Sequence, residues 1–141
     1  MNKNIKLTVT ALLAGIVICS PPQALADKNK LIQGYWAMIP LNNGIANVAY
    51  FGENGDATLY PFLCDFKSRT FSSPEQPEIS KYEVKNNTIY LFYKDIDDNH
   101  KLAIKKLDQK HLVLEQLHTP QFSSTFEYQR VDRIKSLCPT D

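Results

Sequence analysis

Clusters of turn residues cut this chain into short strand-favouring runs, and that punctuation constrains its fold more than any other feature. Leu41-Asn42-Asn43-Gly44, Glu53-Asn54-Gly55-Asp56, Asn86-Asn87, the polar stretch 95–99 and Asp108-Gln109-Lys110 recur along the chain. The intervals of roughly 8 to 15 residues suit an all-β barrel or sandwich. Between the clusters lie the runs 31–39, 45–51, 57–66, 79–85, 88–94, 100–107, 112–117 and 122–131. Asn54-Gly55 is the strongest hairpin signal, because both residues tolerate positive φ. Pro61 marks an edge position or a bulge in its run. Residues 67–78, rich in Ser and Pro, read as a surface loop, and 132–137 as one helical turn before Cys138-Pro139. Long helical periodicity, internal repeats and charge runs are absent. We expect an antiparallel up-and-down barrel or meander of about eight strands, all-β.

Residues 1–26 read as a secretory signal peptide. Lys3 and Lys6 precede an uncharged apolar run over 7–19, Ser20-Pro21-Pro22 breaks any helix, and Ala24-Leu25-Ala26 supplies small residues for cleavage. The 13-residue run is too short to span a bilayer, which takes about 20 residues. Ile18 before Cys19 speaks against lipidation, which wants a small residue there. Cleavage after Ala26 leaves one domain, 27–141, with no later segment apolar enough to span a membrane. The periplasm is the expected compartment, with secretion to the medium the other destination. Of three cysteines, Cys64 and Cys138 remain. An even pair in an oxidising compartment is most simply a disulfide, and no C-x-x-C spacing argues for redox work. Two free thiols are the alternative. The bridge would be worth about 4 kcal/mol on loop-closure grounds.

Alternation assigns faces. In the last run Phe122, Ser124, Phe126, Tyr128 and Arg130 share a face that should point inward. In the first, Ile32, Gly34, Trp36 and Met38 share the buried one. Leu102, Ile104, Leu112 and Leu114 continue an apolar lining. Ile89-Tyr90-Leu91-Phe92-Tyr93 is apolar or aromatic on both faces. Either Tyr90 and Phe92 look inward on a ligand, or one set forms an exposed patch; a core buried on both sides is the bland account.

Gly34-Tyr35-Trp36, on the first strand, resembles the G-x-W of lipocalins and of small bacterial lipocalin-like domains. That family tends to pair the Trp with a late Arg, and Arg130 matches the position. The Asn54-Gly55 hairpin and the one joining Tyr82 and Val84 to Ile89 and Leu91 resemble the bacterial domains' meander. A guanidinium over the indole gains roughly 0.5–2 kcal/mol and closes the barrel end. The resemblance implies structural roles for Gly34, Trp36 and Arg130 and a small apolar or aromatic ligand inside the barrel. Tyr60, Tyr82, Tyr90, Phe92, Phe126 and Tyr128 are the candidate lining. The chain is short for a larger lipocalin, which bears on the size of the cavity.

The remaining chemistry is sparse. His100, His111 and His118 sit at strand ends or turns, and no G-x-S-x-G surrounds a Ser, so we expect no enzyme. Asp95, Asp97, Asp98, Asn99 and His100 concentrate ligand atoms but lack the glycine and distal Glu of a calcium loop, so we read a solvated turn and expect no metal and no cofactor. With 16 Lys+Arg against 15 Asp+Glu and no basic stripe, nucleic acid is not an expected partner. Two functions stay open. One is a non-enzymatic binding protein holding a small hydrophobic ligand. The other is a module for an envelope protein, an inhibitor or immunity-type partner, probing through the 67–78 loop with Arg69 and Phe71.

Overall fold

The computed structural model describes residues 23–95 and 100–140. Most of the expected signal peptide (1–22) and Asp97, Asp98 and Asn99 of the polar stretch lie outside the described residues. The chain opens with a helix, α1 (Gln23–Ile32), so the expected cleavage point after Ala26 falls within it. Ten strands follow: β1 (Gly34–Met38), β2 (Val48–Phe51), β3 (Asp56–Tyr60), β4 (Leu63–Asp65), β5 (Thr70–Ser72), β6 (Glu78–Lys85), β7 (Thr88–Phe92), β8 (His100–Leu107), β9 (His111–Thr119) and β10 (Phe122–Val131). Eight of them close a barrel in the order β1-β10-β9-β8-β7-β6-β3-β2, while β4 and β5 form a separate two-stranded sheet. Every neighbouring pair is antiparallel. The barrel is the eight-stranded meander expected from the turn spacing, and closure leaves it no edge strand.

The boundaries differ from expectation where a local contact outweighs strand propensity. Leu31 and Ile32 end α1 instead of opening β1. Their carbonyls are claimed by side chains from the barrel, and Ile32 is fully buried. The run 57–66 divides at Pro61, beyond which the chain leaves the barrel. Pro61 has no N–H to give a ladder, so a central strand cannot continue through it. The 67–78 segment is not all loop, since β5 pairs back on β4 and β6 starts at Glu78. Residues 132–134 form bends and 135–137 are irregular, with no helical turn.

The barrel has two different ends. At one, the β2–β3, β6–β7 and β8–β9 connections are tight. Asn86 and Asn87 both take positive φ, 51° and 58°, as a two-residue hairpin requires. The Asp108 carboxylate accepts the backbone N–H groups of Lys110 and His111, both at 2.8 Å. The other end carries the long β1–β2 connection and the excursion through β4 and β5. That excursion makes a small second core of Ala46, Cys64 and Cys138, with Phe62 against it. Cys64 and Cys138 are disulfide-bonded, with their Cα atoms 5.3 Å apart. The bond returns the tail after β10 to the β4–β5 hairpin. Gly44, at φ 89°, presses so close that an added Cβ would stand 2.5 Å from the Cys64 carbonyl oxygen. Its own carbonyl accepts the Cys64 N–H at 2.8 Å. The β1–β2 connection is thus bound to the stapled hairpin by backbone contact.

Candidate functional site

The closed end is the floor of the site. Trp36 is fully buried, and its Nε1–H donates to the Ile32 carbonyl at 2.7 Å. The Arg130 guanidinium lies 4.1 Å from the indole centre. It donates to the Gln33 carbonyl at 2.7 Å, to the Leu31 carbonyl, and through Nε–H to the Gln109 carbonyl at 2.8 Å. These carbonyls close α1 and the β8–β9 turn, so one cation ties a helix C-terminus and a hairpin to the barrel. A cation there also meets the negative end of the helix dipole. Gly34 takes φ 110°, and a Cβ on it would meet Arg130 Nη1 at 2.9 Å. A side chain at position 34 would displace the guanidinium, a local reason for the glycine two residues before the tryptophan. Above this layer Phe51, Ile89 and Leu112 fill the tube, and Tyr82 packs edge-on against Phe51, its ring 5.0 Å away.

Nearer the open end the filling stops. A cavity of about 370 Å³ is lined by Met38, Phe51, Leu59, Leu91, Leu102 and Leu114, with Phe126 and Tyr128 on β10. Its size falls within the usual range for small-molecule pockets. The space exists because three inward positions on β2, β3 and β6 carry small side chains, Ala49, Ala57 and Ser80. Register makes them face inward: Ala49 stands opposite Trp36 and Leu59, and Ala57 opposite Phe51 and Ser80. Polar groups gather toward the opening, where Glu78, Tyr93, His100 and Gln116 line the cavity. The rings of Tyr93 and His100 meet edge to face at 5.4 Å. Burial, and then the charge of Glu78, raise the Tyr93 phenol above its ordinary pKa.

Tyr128 is the one phenol the core holds against the cavity. It is 7% exposed, and burial raises its pKa well above the ordinary value. Among the described residues nothing hydrogen-bonds its hydroxyl. No buried side-chain nitrogen or oxygen among the described residues lacks a hydrogen-bond partner, so this hydroxyl is open to the cavity that its residue lines.

Of the six candidate lining residues, Phe126 and Tyr128 line the cavity. Tyr82 points into the barrel below it, donating to the Gly52 carbonyl at 2.8 Å. Tyr60, Tyr90 and Phe92 are on the outer wall. The inward alternative for Tyr90 and Phe92 is therefore corrected by register. Ile89 pairs with Val84 and Leu102, and Leu91 with Tyr82, which turns Ile89 and Leu91 inward. Tyr90 instead lies beneath the Lys101 ammonium, 5.8 Å from its ring centre. The same parity carries His100 to the mouth, since it stands opposite Leu91. The polar mouth and the small-residue wall are what sequence reasoning missed. Alanines at inward positions of β2 and β3 were the available signal.

The other histidines lie apart. His111 is at the closed end, with Nδ1 3.2 Å from the Asp108 carboxylate. His118 Nε2 lies 2.9 Å from Ser124 Oγ on the β9–β10 hairpin, and its ring stacks on Phe122. Among the described residues no carboxylate hydrogen-bonds its other nitrogen, and no group of three or more metal-ligating side chains forms. Phe71 belongs to the stapled hairpin, edge-on to Phe62 at 5.8 Å, and Arg69 reaches the Thr140 carbonyl at 3.4 Å. Among the described residues no helix is long and apolar enough to cross a membrane. Compared with protein-family models, curated proteins and solved structures, the chain matches none.

Proposed function

We propose that this protein is an exported, non-enzymatic carrier that holds a small apolar ligand inside its barrel, in the manner of lipocalin-like domains. The observation that carries the reading is the combination at the cavity: an apolar wall of binding size with the phenol of a largely buried residue, Tyr128, against it. Apolar lining supplies affinity and a few fixed polar groups supply orientation. A ligand with a hydroxyl, carbonyl or carboxyl oxygen at its leading end would satisfy the phenol. The contact of Gly34, Trp36 and Arg130 supports the family resemblance. The disulfide supports export to an oxidising compartment, for which the periplasm is our reading.

The test is titration with a fluorescent polyene fatty acid, beside native mass spectrometry of the protein as purified from cells. Saturable binding at one site is expected. Ala57→Phe should abolish it by filling the cavity, with the fold retained. Tyr128→Phe should weaken an oxygen-bearing probe up to about tenfold. A wild-type protein that binds no probe and carries no small molecule would remove the proposal.

A further inference from the structure

The open end has a property that the cavity alone does not require. Exposed large apolar side chains ring it: Ile39 at 40% exposure, Ile45 at 36%, Ile79 at 73%, Phe92 at 36%, Leu117 at 65% and Phe122 at 60%. Register places them around the circumference, on or beside β1, β2, β6, β7, β9 and β10. The turns of the closed end, 52–55, 86–87 and 108–110, carry none.

Leu117 and Phe122 stand on a projection. β10 pairs with β1 only over Tyr128 to Val131, and β9 pairs with β8 no further than Glu115. The Glu127 carbonyl still accepts the Ile39 N–H at 2.8 Å; beyond it, the ladder joins the two strands only to each other among the described residues, Ser124 with Gln116, Ser123 with Leu117 and Phe122 with Thr119. They form a two-stranded finger beside the cavity mouth. From Gln116 to Phe126 the finger carries no Lys, Arg, Asp or Glu, and the flanking charges, Glu115 and Glu127, lie at its base.

We propose that this end docks on a lipid surface, the finger entering the headgroup layer, and that the cavity takes an acyl-chain lipid from it. This rests on the carrier reading and names its ligand class. Three observations favour a lipid layer over a protein or a second copy. The apolar side chains encircle an opening instead of forming one flank. The ring adjoins the cavity, since Ile45 belongs to both, and the polar side chains at the mouth, Glu78, Tyr93, His100 and Gln116, suit a headgroup layer over an apolar interior. The finger carries no Lys, Arg, Asp or Glu, which matches an interface that formal charges enter only at a cost.

The experiment is flotation of the protein, in the form its host cell accumulates, with vesicles of phosphatidylcholine, alone or mixed with phosphatidylglycerol. We expect the wild type to float with the vesicles. Leu117→Ser with Phe122→Ser should bind at least about tenfold more weakly. Both side chains are exposed, so the melting temperature should hold. As a second readout, Phe122→Trp should be quenched by brominated phosphatidylcholine while Trp36, sealed at the closed end, is not. A wild type that stays in the aqueous phase, or a Phe122→Trp indole that the brominated lipid leaves unquenched, overturns the proposal. So does a double variant that keeps vesicle binding but loses self-association by light scattering. The fatty-acid titration separates the two readings. The double variant should still bind probe added from solution. Vesicle binding without any probe binding would sink the cavity reading and leave the docking surface standing.

Discussion

The two ends of this barrel solve opposite problems with the same strands. At the closed end, polar groups meet one another: Arg130 serves three backbone carbonyls, Trp36 a fourth, and the Asp108 carboxylate two N–H groups. At the open end, Tyr128 faces the cavity, three inward side chains are too small to fill the tube, and large apolar side chains face outward. Local satisfaction of hydrogen bonds and dense packing give stability. Their omission at the other end leaves room for a ligand. The comparison teaches that the site is a region where the rules that built the floor are relaxed.

The largest effect should come from breaking the floor. Trp36→Ala removes a fully buried indole and the surface under Arg130. We expect a loss of about 3–5 kcal/mol in urea unfolding. A loss below that range would mean that the floor is not where stability resides. Replacing both Cys64 and Cys138 with Ala should cost less, about 2 kcal/mol, the low end for a native disulfide, because the bond staples a peripheral hairpin and not the barrel wall. Probe affinity should fall with it, since Leu41 and Ile45 of the attached β1–β2 connection line the cavity. A variant with unchanged affinity would separate the hairpin from the mouth.

Filling the open end should leave stability nearly untouched. Ala57→Leu adds apolar volume to existing space, so unfolding free energy should move by less than about 1 kcal/mol, in either direction. A loss of several kcal/mol would show that the wall is already tightly packed.

How much of this was legible follows from what each residue's signal depends on. Turn chemistry is local, so Asn86-Asn87 and Asp108-Gln109-Lys110 reveal their hairpins without knowledge of the partner strands. The inward face of β10 is legible over Phe126, Tyr128 and Arg130, but Phe122, expected inward with them, is 60% exposed because the pairing with β9 shifts register between Phe122 and Ser123. β7 has no such alternation, and only pairing with β6 and β8 decides which of Tyr90 and Leu91 enters the barrel. His100 and Glu78 reach the mouth by register, which no short window of sequence contains. The helix α1 escapes notice because the contacts at its end are with the barrel, Ile32 in the core and Arg130 on the carbonyl of Leu31, 99 residues before it.

The smallest expected effect lies at the β8–β9 turn and reads its electrostatics. The backbone N–H of Lys110, then that of His111, hold the Asp108 carboxyl below its ordinary pKa of 3.8. A carboxyl depressed in the folded state supports folding above its unfolded pKa, and that support fades as the pH drops from about 4 toward the folded value. Asp108→Asn keeps an oxygen acceptor but not the charge. The melting-temperature advantage of the wild type should therefore be present above about pH 4 and shrink on further acidification. An advantage that is the same at every pH would mean that the carboxylate's charge does nothing there.

The seam between β1 and β10 has a kinetic consequence. It joins the first strand to the last, so each shorter stretch of chain is an open ribbon with two raw margins. Nothing local can substitute for that meeting, and such distant pairing is slow to form. Until the final strand arrives the molecule has no inside, and a partly made chain has no cavity at all.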